Sequence, residues 1–282
     1  MVNLNPPETG LPTPPTAAKP RLWQRPGLSW LAGFLFGYMY LPILVLGFYS
    51  FNRSAYSAGW EGFSWRWYAR LFADGRILRA LENSLVVALA AVAVAAVLGT
   101  LMAVGLAKYR FRGKGLYRGL SYLPLIVPDI AIAVATLVFL AALGIPLSLW
   151  TIVASHGVFC LAYVAIVVAS RLTALDPHLE EAALDLGATP TQAFTRVLLP
   201  ELAPAIVAGC LLAFVLSMDD FLIASFTAGT GATTLPMEIF SRIRTGVKPD
   251  INALSVLLIL ASGAIACAAE YLRYRSTQRR QA

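Results

Sequence analysis

The chain has 282 residues, 58% hydrophobic and 13% charged, with a formal net charge of +7. A soluble domain is about a quarter charged, so this balance excludes an ordinary water-soluble fold. The basic residues cluster at the ends of apolar blocks. That makes the charge a topology signal and argues against a nucleic-acid partner.

Prolines crowd the start of the chain, from Pro6 and Pro7 to Pro20 and Pro26. Such a stretch buries no core, so residues 1–27 are expected to form a disordered cytoplasmic tail. No basic n-region precedes the first apolar block and no small-residue cleavage site follows it, so that block is expected to stay as an anchor. Crossing a bilayer takes about 20 apolar residues per helix. The uncharged blocks predict an all-α membrane protein with six transmembrane helices, near 29–51, 82–107, 117–143, 147–170, 202–228 and 252–272. A Gly144-Ile145-Pro146 turn separates the third from the fourth. The membrane domain thus covers 28–272, and residues 273–282 form a basic cytoplasmic tail.

Between the first two spans, Ser64 to Phe72 reads as a short interfacial helix capped by Ser64. Trp65, Tyr68 and Phe72 would lie at the outer headgroups. Lys108, Arg110, Arg112, Lys114 and Arg118 crowd the second loop, while Arg171 and Arg196 flank the fourth. Positive residues mark the cytoplasmic side, so both termini are expected there. Pro124 and Pro128 lie early in the third span, where proline kinks a helix. Three acids fall inside apolar blocks: Asp129, Asp219 and Asp220. A carboxylate at a membrane centre costs about 2.5–3.5 kcal/mol on insertion scales, which makes these candidates for a cation path. In the competing reading, one Asp caps a broken fifth helix and another pairs with an arginine of a neighbouring chain.

The fourth loop, 173–200, is too polar to cross a membrane and too regular to be slack. Asp176-Pro177 predicts a helix start, with Leu179, Ala182, Ala183 and Leu186 on one apolar face. Gly187 supplies the left-handed residue that ends it. Thr189-Pro190 opens a second short helix, with Thr189 and Gln192 as a capping box. Ala193, Phe194, Val197 and Leu198 lie on its apolar side. Two helices meeting at a glycine elbow make a rigid knob, suited to receive a push from a cytoplasmic partner.

No catalytic or metal-binding constellation is visible. Cys160, Cys210 and Cys267 are scattered through apolar spans, and His156 and His178 are far apart. Gly113-Lys114-Gly115 lacks the spacing and hydroxyl of a phosphate-binding loop. No cofactor is expected, and the chain cannot cradle ATP phosphates by that route.

Glu181-Ala182-Ala183, three residues, Gly187, nine residues, then Val197-Leu198-Leu199-Pro200 resembles the EAA loop of ABC importer permeases, E-A-A-x3-G-x9-I-x-L-P, with Val197 in place of Ile. The likeness continues from about residue 28 through Trp60 to Tyr68, Glu82 to Leu85, Tyr109 to Lys114, Pro128 to Ile130 and Ser217 to Phe221. These segments look like the spermidine/putrescine permease subunits, most like the second of the two permeases such systems encode. The resemblance implies the type I (MetI-like) permease fold with cytoplasmic coupling helices. Glu181, Ala182, Ala183, Gly187, Leu199 and Pro200 would then meet the ATPase. It also implies a multi-pass subunit of the bacterial inner membrane that imports polyamines with an ATPase dimer, a homologous second permease and an external substrate-binding protein. The alternatives are a permease for another small solute and an ion-coupled secondary transporter, which would leave the loop unexplained.

Overall fold

The computed structural model describes residues 26–54, 59–246 and 249–278, and all its regular elements there are helices. The proline-rich tail before Pro26 and the last four residues lie outside them. The chain divides into two units, Met1–Leu46 and Gly47–Ala282. The first holds most of α1 (Pro26–Tyr49), an apolar helix on which Trp30, Phe34 and Tyr38 are exposed.

The second unit begins with a turn organised by Asn52. Its side-chain oxygen accepts from the backbone N–H groups of Ser54 and Glu61, and its carbonyl accepts from the Trp67 indole at 2.7 Å. The short helix expected near Ser64–Phe72 is α2 (Arg66–Ala73), with Trp67 and Leu71 buried and Trp65 and Phe72 exposed. At its start the Ser64 hydroxyl accepts the Arg66 N–H at 3.2 Å. Asp74 then caps α3 (Gly75–Lys108) by accepting from the N–H groups of Arg76 and Ile77. Helix α3 has 34 residues. A crossing needs about 20, so α3 extends well beyond the hydrocarbon layer.

Helix α3 packs against α6 (Leu149–Ala174) and α9 (Leu199–Asp219). In lipid such association depends on close packing, which small residues permit. Ala91, Ala95, Gly99 and Ala103 recur every fourth residue along the buried face of α3. Val164 of α6 lies against both Gly99 of α3 and Gly209 of α9.

Two predicted spans are not single helices. Residues 117–143 form α4 (Lys114–Tyr122), a 3₁₀ turn at Leu123–Leu125, and α5 (Asp129–Ala142), with a 110° bend between the two arms. Pro128 offers no N–H and forces its predecessor out of helical geometry, so the kink expected there is a full corner. The fifth span ends at Asp219; Asp220 is extended (ψ 123°), and the chain restarts as the short α10 (Leu222–Thr227). Helix α11 (Leu235–Arg244) follows, unforeseen from hydropathy because it is amphipathic. The last helix, α12 (Pro249–Gln278), continues to Gln278, inside the predicted tail. Among the described residues, four helices are long and apolar enough to span a membrane, and the bent pair makes a fifth if counted as one. The apolar part described in α12, Pro249–Ala264, is shorter than a full span.

One ionic junction ties α11 and α12 to the cap of α3. Arg242 of α11 donates to Asp74 at 2.8 Å, to Glu238 at 2.8 Å and to Asp250 of α12 at 3.1 Å. Burial raises the Asp74 carboxyl, but hydrogen bonds from Arg242 and from the backbone of Arg76 and Ile77 outweigh this and hold it below its ordinary range. Its stabilising contribution is therefore full above a pH of about 4 and is lost as pH falls through the lower folded value. Replacing Arg242 with alanine leaves three carboxylates facing one another. We expect Arg242→Ala to cost about 3 kcal/mol, read as a fall in the thermal midpoint of the detergent-solubilised protein. Arg242→Lys, lacking the planar fork, should recover only part of it.

Candidate coupling loop and translocation cavity

The fourth loop begins differently from the expectation. Asp176 does not cap a helix starting at Pro177; its carboxylate accepts the N–H of His178 at 2.9 Å and closes a turn. Helix α7 (Leu179–Asp185) starts two residues later, with Glu180 and Glu181 in its first turn, where the helix dipole favours acids. The bond from the His178 N–H is the one an N-cap makes, but Pro177 and His178 form a turn, so the helix proper begins only at Leu179. Glu180 pairs with Lys108 at the end of α3, and Glu181 with His178 at 2.9 Å. A hydrogen bond to the Glu181 carboxylate, reinforced by its charge, raises the pKa of exposed His178.

Gly187 ends α7 in the left-handed region (φ +87°), where the N–H of Ala188 reaches back to the carbonyl of Ala183 at 3.0 Å. The capping box is present: the Gln192 N–H donates to the Thr189 hydroxyl, and the Thr189 N–H to the Gln192 side chain. The second helix is not a separate element, however. From α8 (Pro190–Gln192) the chain passes through a π-helical stretch at Ala193–Leu198 directly into α9. Pro200 lies just after the π-helical stretch, so its missing N–H falls where the regular i→i−4 ladder is already interrupted. The apolar face also splits. Leu179 and Ala183 are half-buried, whereas Ala182 is exposed and Leu186 projects beside the elbow with 89% of its surface exposed.

The three intramembrane acids come together. A cavity of about 290 Å³ is lined by Pro124 and Asp129 from the bent segment, Phe159 and Tyr163 from α6, and Asp219 and Asp220 at the break after α9. Asp129 and Asp219 are exposed, and neither has an ion pair or side-chain hydrogen bond among the described residues. Asp220 is different. Its carboxylate accepts from the N–H groups of Ile223 at 3.2 Å and Ala224 at 2.8 Å, capping α10. It also lies 3.1 Å from Nε2 of His156, a residue for which the sequence suggests no partner. So Asp220 caps the break, as one part of the competing reading has it, and it also pairs with a histidine of α6. The 64-residue separation between them leaves no local sequence signal.

Residues 95–281 match the family model described as "Binding-protein-dependent transport system inner membrane component". The chain belongs to this family. It is therefore an inner-membrane transport component and carries no catalytic role of its own. Over 257 residues it is 46% identical to the putrescine transport system permease protein PotI of Escherichia coli (strain K12), covering 89% of this chain and 91% of that one. It is 40% identical to the spermidine/putrescine transport system permease protein PotC of Haemophilus influenzae, over 82% of this permease and 90% of the relative. Among solved structures, a bacterial ABC transporter that imports alginate superposes with a TM-score of 0.69 at 16% identity, over 87% of this chain and 94% of that one. The MetNI methionine ABC transporter superposes with a TM-score of 0.55 at 22% identity, over 70% and 92%. These likenesses show the type I ABC importer permease fold.

Proposed function

We propose that this chain is the permease subunit of an ATP-driven importer of polyamines, putrescine or spermidine, working with an ATPase dimer, a homologous second permease and an external binding protein. The observation that carries the substrate reading is the cavity: two carboxylates without an ion pair among the described residues, Asp129 and Asp219, beside the rings of Phe159 and Tyr163. A flexible polyamine presents ammonium groups joined by methylenes. Carboxylates attract the ammonium groups, strongly where water is scarce, and aromatic faces hold cations and methylenes together. The names of the two relatives agree with this chemistry.

In this reading the fourth loop faces the cytoplasm, as do both termini. Glu181, Ala182, Ala183, Gly187, Leu199 and Pro200 shape the coupling surface, and Leu186 is the apolar point offered to the ATPase. Because α8 runs unbroken into α9, displacement of the elbow passes along one helix. Helix α9 continues for 21 residues from Leu199 to Asp219, so its far end brings that movement to the cavity.

The test is Asp219→Asn and Asp129→Asn, each in the assembled transporter. Each is expected to raise the half-saturating putrescine concentration about tenfold, equivalent to losing roughly 1.4 kcal/mol of cation attraction. Uptake unchanged in both, with normal assembly, would remove the cavity from the substrate path.

A further inference from the structure

The histidine behind the cavity is held in an arrangement of its own. His156 is 1% exposed, inside a membrane helix. Its Nδ1 lies 2.7 Å from the Ser217 hydroxyl in the last turn of α9, and its Nε2 lies 3.1 Å from Asp220 beyond the break. Ser217 is 4% exposed, and the Asp220 side chain is 10% exposed. One imidazole thus reaches both sides of the point where α9 ends and α10 begins.

The chemistry of the neighbours sets the proton positions. A neutral imidazole has one donor and one acceptor nitrogen, and a carboxylate only accepts. Nε2–H therefore donates to Asp220, and Nδ1 shares a hydrogen bond with the Ser217 hydroxyl. The opposite tautomer would set a nitrogen lone pair against a carboxylate oxygen. With the imidazole in place, Asp220 receives three donors: Ile223 N–H on Oδ1, and Ala224 N–H and His156 Nε2–H on Oδ2. That carboxylate is occupied by the protein. Its neighbour Asp219, one residue earlier at the end of the same helix, is left to the cavity.

We propose that His156, with Ser217, is a positioning residue for cation recognition: it locks Asp220 across the break in the fifth span and so fixes where Asp219 meets the substrate. The inference rests on the cavity reading above and adds how the cavity is kept in register. A site pre-organised by such supporting contacts binds more tightly than one whose ligating group must be ordered on arrival. His156 is too buried to touch the substrate, so its influence passes through the backbone at residues 219–221.

The experiment uses the complete transporter in proteoliposomes with its binding protein, measuring putrescine uptake over a range of concentrations. His156→Leu, which keeps bulk and loses both hydrogen bonds, should raise the half-saturating concentration about tenfold while maximal uptake stays within about twofold. His156→Gln carries one donor and one acceptor at its amide end and should restore values near wild type. Ser217→Ala removes only the hydroxyl and should give an intermediate rise, which keeps the test open if His156→Leu fails to assemble. Asp219→Asn is run in parallel. If Asp219→Asn is impaired while assembled Ser217→Ala and His156→Leu keep the wild-type half-saturating concentration, the positioning role is overturned and the cavity stands. If Asp219→Asn is itself unchanged, Asp219 does not meet the substrate and this inference fails, while the cavity reading is decided by Asp129→Asn.

Discussion

Gly229→Ala is expected to give a protein that barely accumulates in folded form. A β-carbon built at Gly229 would lie 1.9 Å from the carbonyl oxygen of Leu147, 2.3 Å from its carbonyl carbon and 2.7 Å from the nitrogen of Ser148. All three are backbone atoms, so no side-chain tip can turn aside. The loop between α10 and α11 must therefore lift away from the loop between α5 and α6. That crossing is where the Thr151 hydroxyl donates to the carbonyl of Thr227 at 2.7 Å, and where Ile152, Ala224 and Ala232 form a buried cluster with Val87. Overpacking alone costs about 1–3 kcal/mol, and a broken buried hydrogen bond adds about 1 kcal/mol. Gly157→Ala is the matched control, because its β-carbon meets nothing within 4 Å and alanine favours a helix. The check is the yield and thermal midpoint of monodisperse protein in detergent. A Gly229→Ala midpoint equal to that of wild type would mean that the two loops do not meet as described.

The residues legible in the sequence are those whose signal is local. Gly187 and the Thr189–Gln192 box each depend on backbone within a single turn, and both are found as expected. The three acids stand out because a charge inside an apolar block is costly wherever it lies. Direction is not legible. Hydropathy over 117–143 reports that the residues are apolar, but not that Pro124 and Pro128 turn the chain through 110°. That turn carries Asp129 to the same cavity as Asp219. Long-range pairing is hidden for a related reason. Arg242 has its partner Asp74 168 residues away, too far for any local pattern to report. His156 reads as an isolated polar residue in an apolar helix, and its meaning depends on a break 64 residues later. Asp176 makes the local bond expected of it, to the N–H of His178, but the regular helix begins two residues later, at Leu179.

Gly187→Asp is expected to abolish transport while leaving the membrane domain folded, and the two halves of that outcome have separate causes. At φ +87° a non-glycine residue is strained by about 1 kcal/mol, although aspartate tolerates this region better than most. Nothing lies within 4 Å of an added β-carbon, so the side chain meets no wall in the chain itself. Insertion and thermal midpoint should therefore change little. In the proposed coupling role, the damage falls on the surface offered to the ATPase. Beside the elbow Leu186 projects into solvent, and an apolar tip that seats in a partner leaves no water for an adjacent carboxylate. An unpaired charge taken out of water costs several kcal/mol, enough to lower ATPase association by about 100-fold or more. Gly187→Ala separates the causes, since it has the backbone strain without the charge. It should keep association within about tenfold of wild type. Leu186→Ala should weaken association to an intermediate degree by removing the seated side chain. The measurement is ATPase co-purification with the permease complex, set beside putrescine-stimulated ATP hydrolysis. Wild-type association by the Gly187→Asp variant would place the ATPase contact elsewhere on the cytoplasmic face. Equal loss in the Ala and Asp variants would assign the effect to the shape of the elbow, and charge exclusion at the interface would be ruled out.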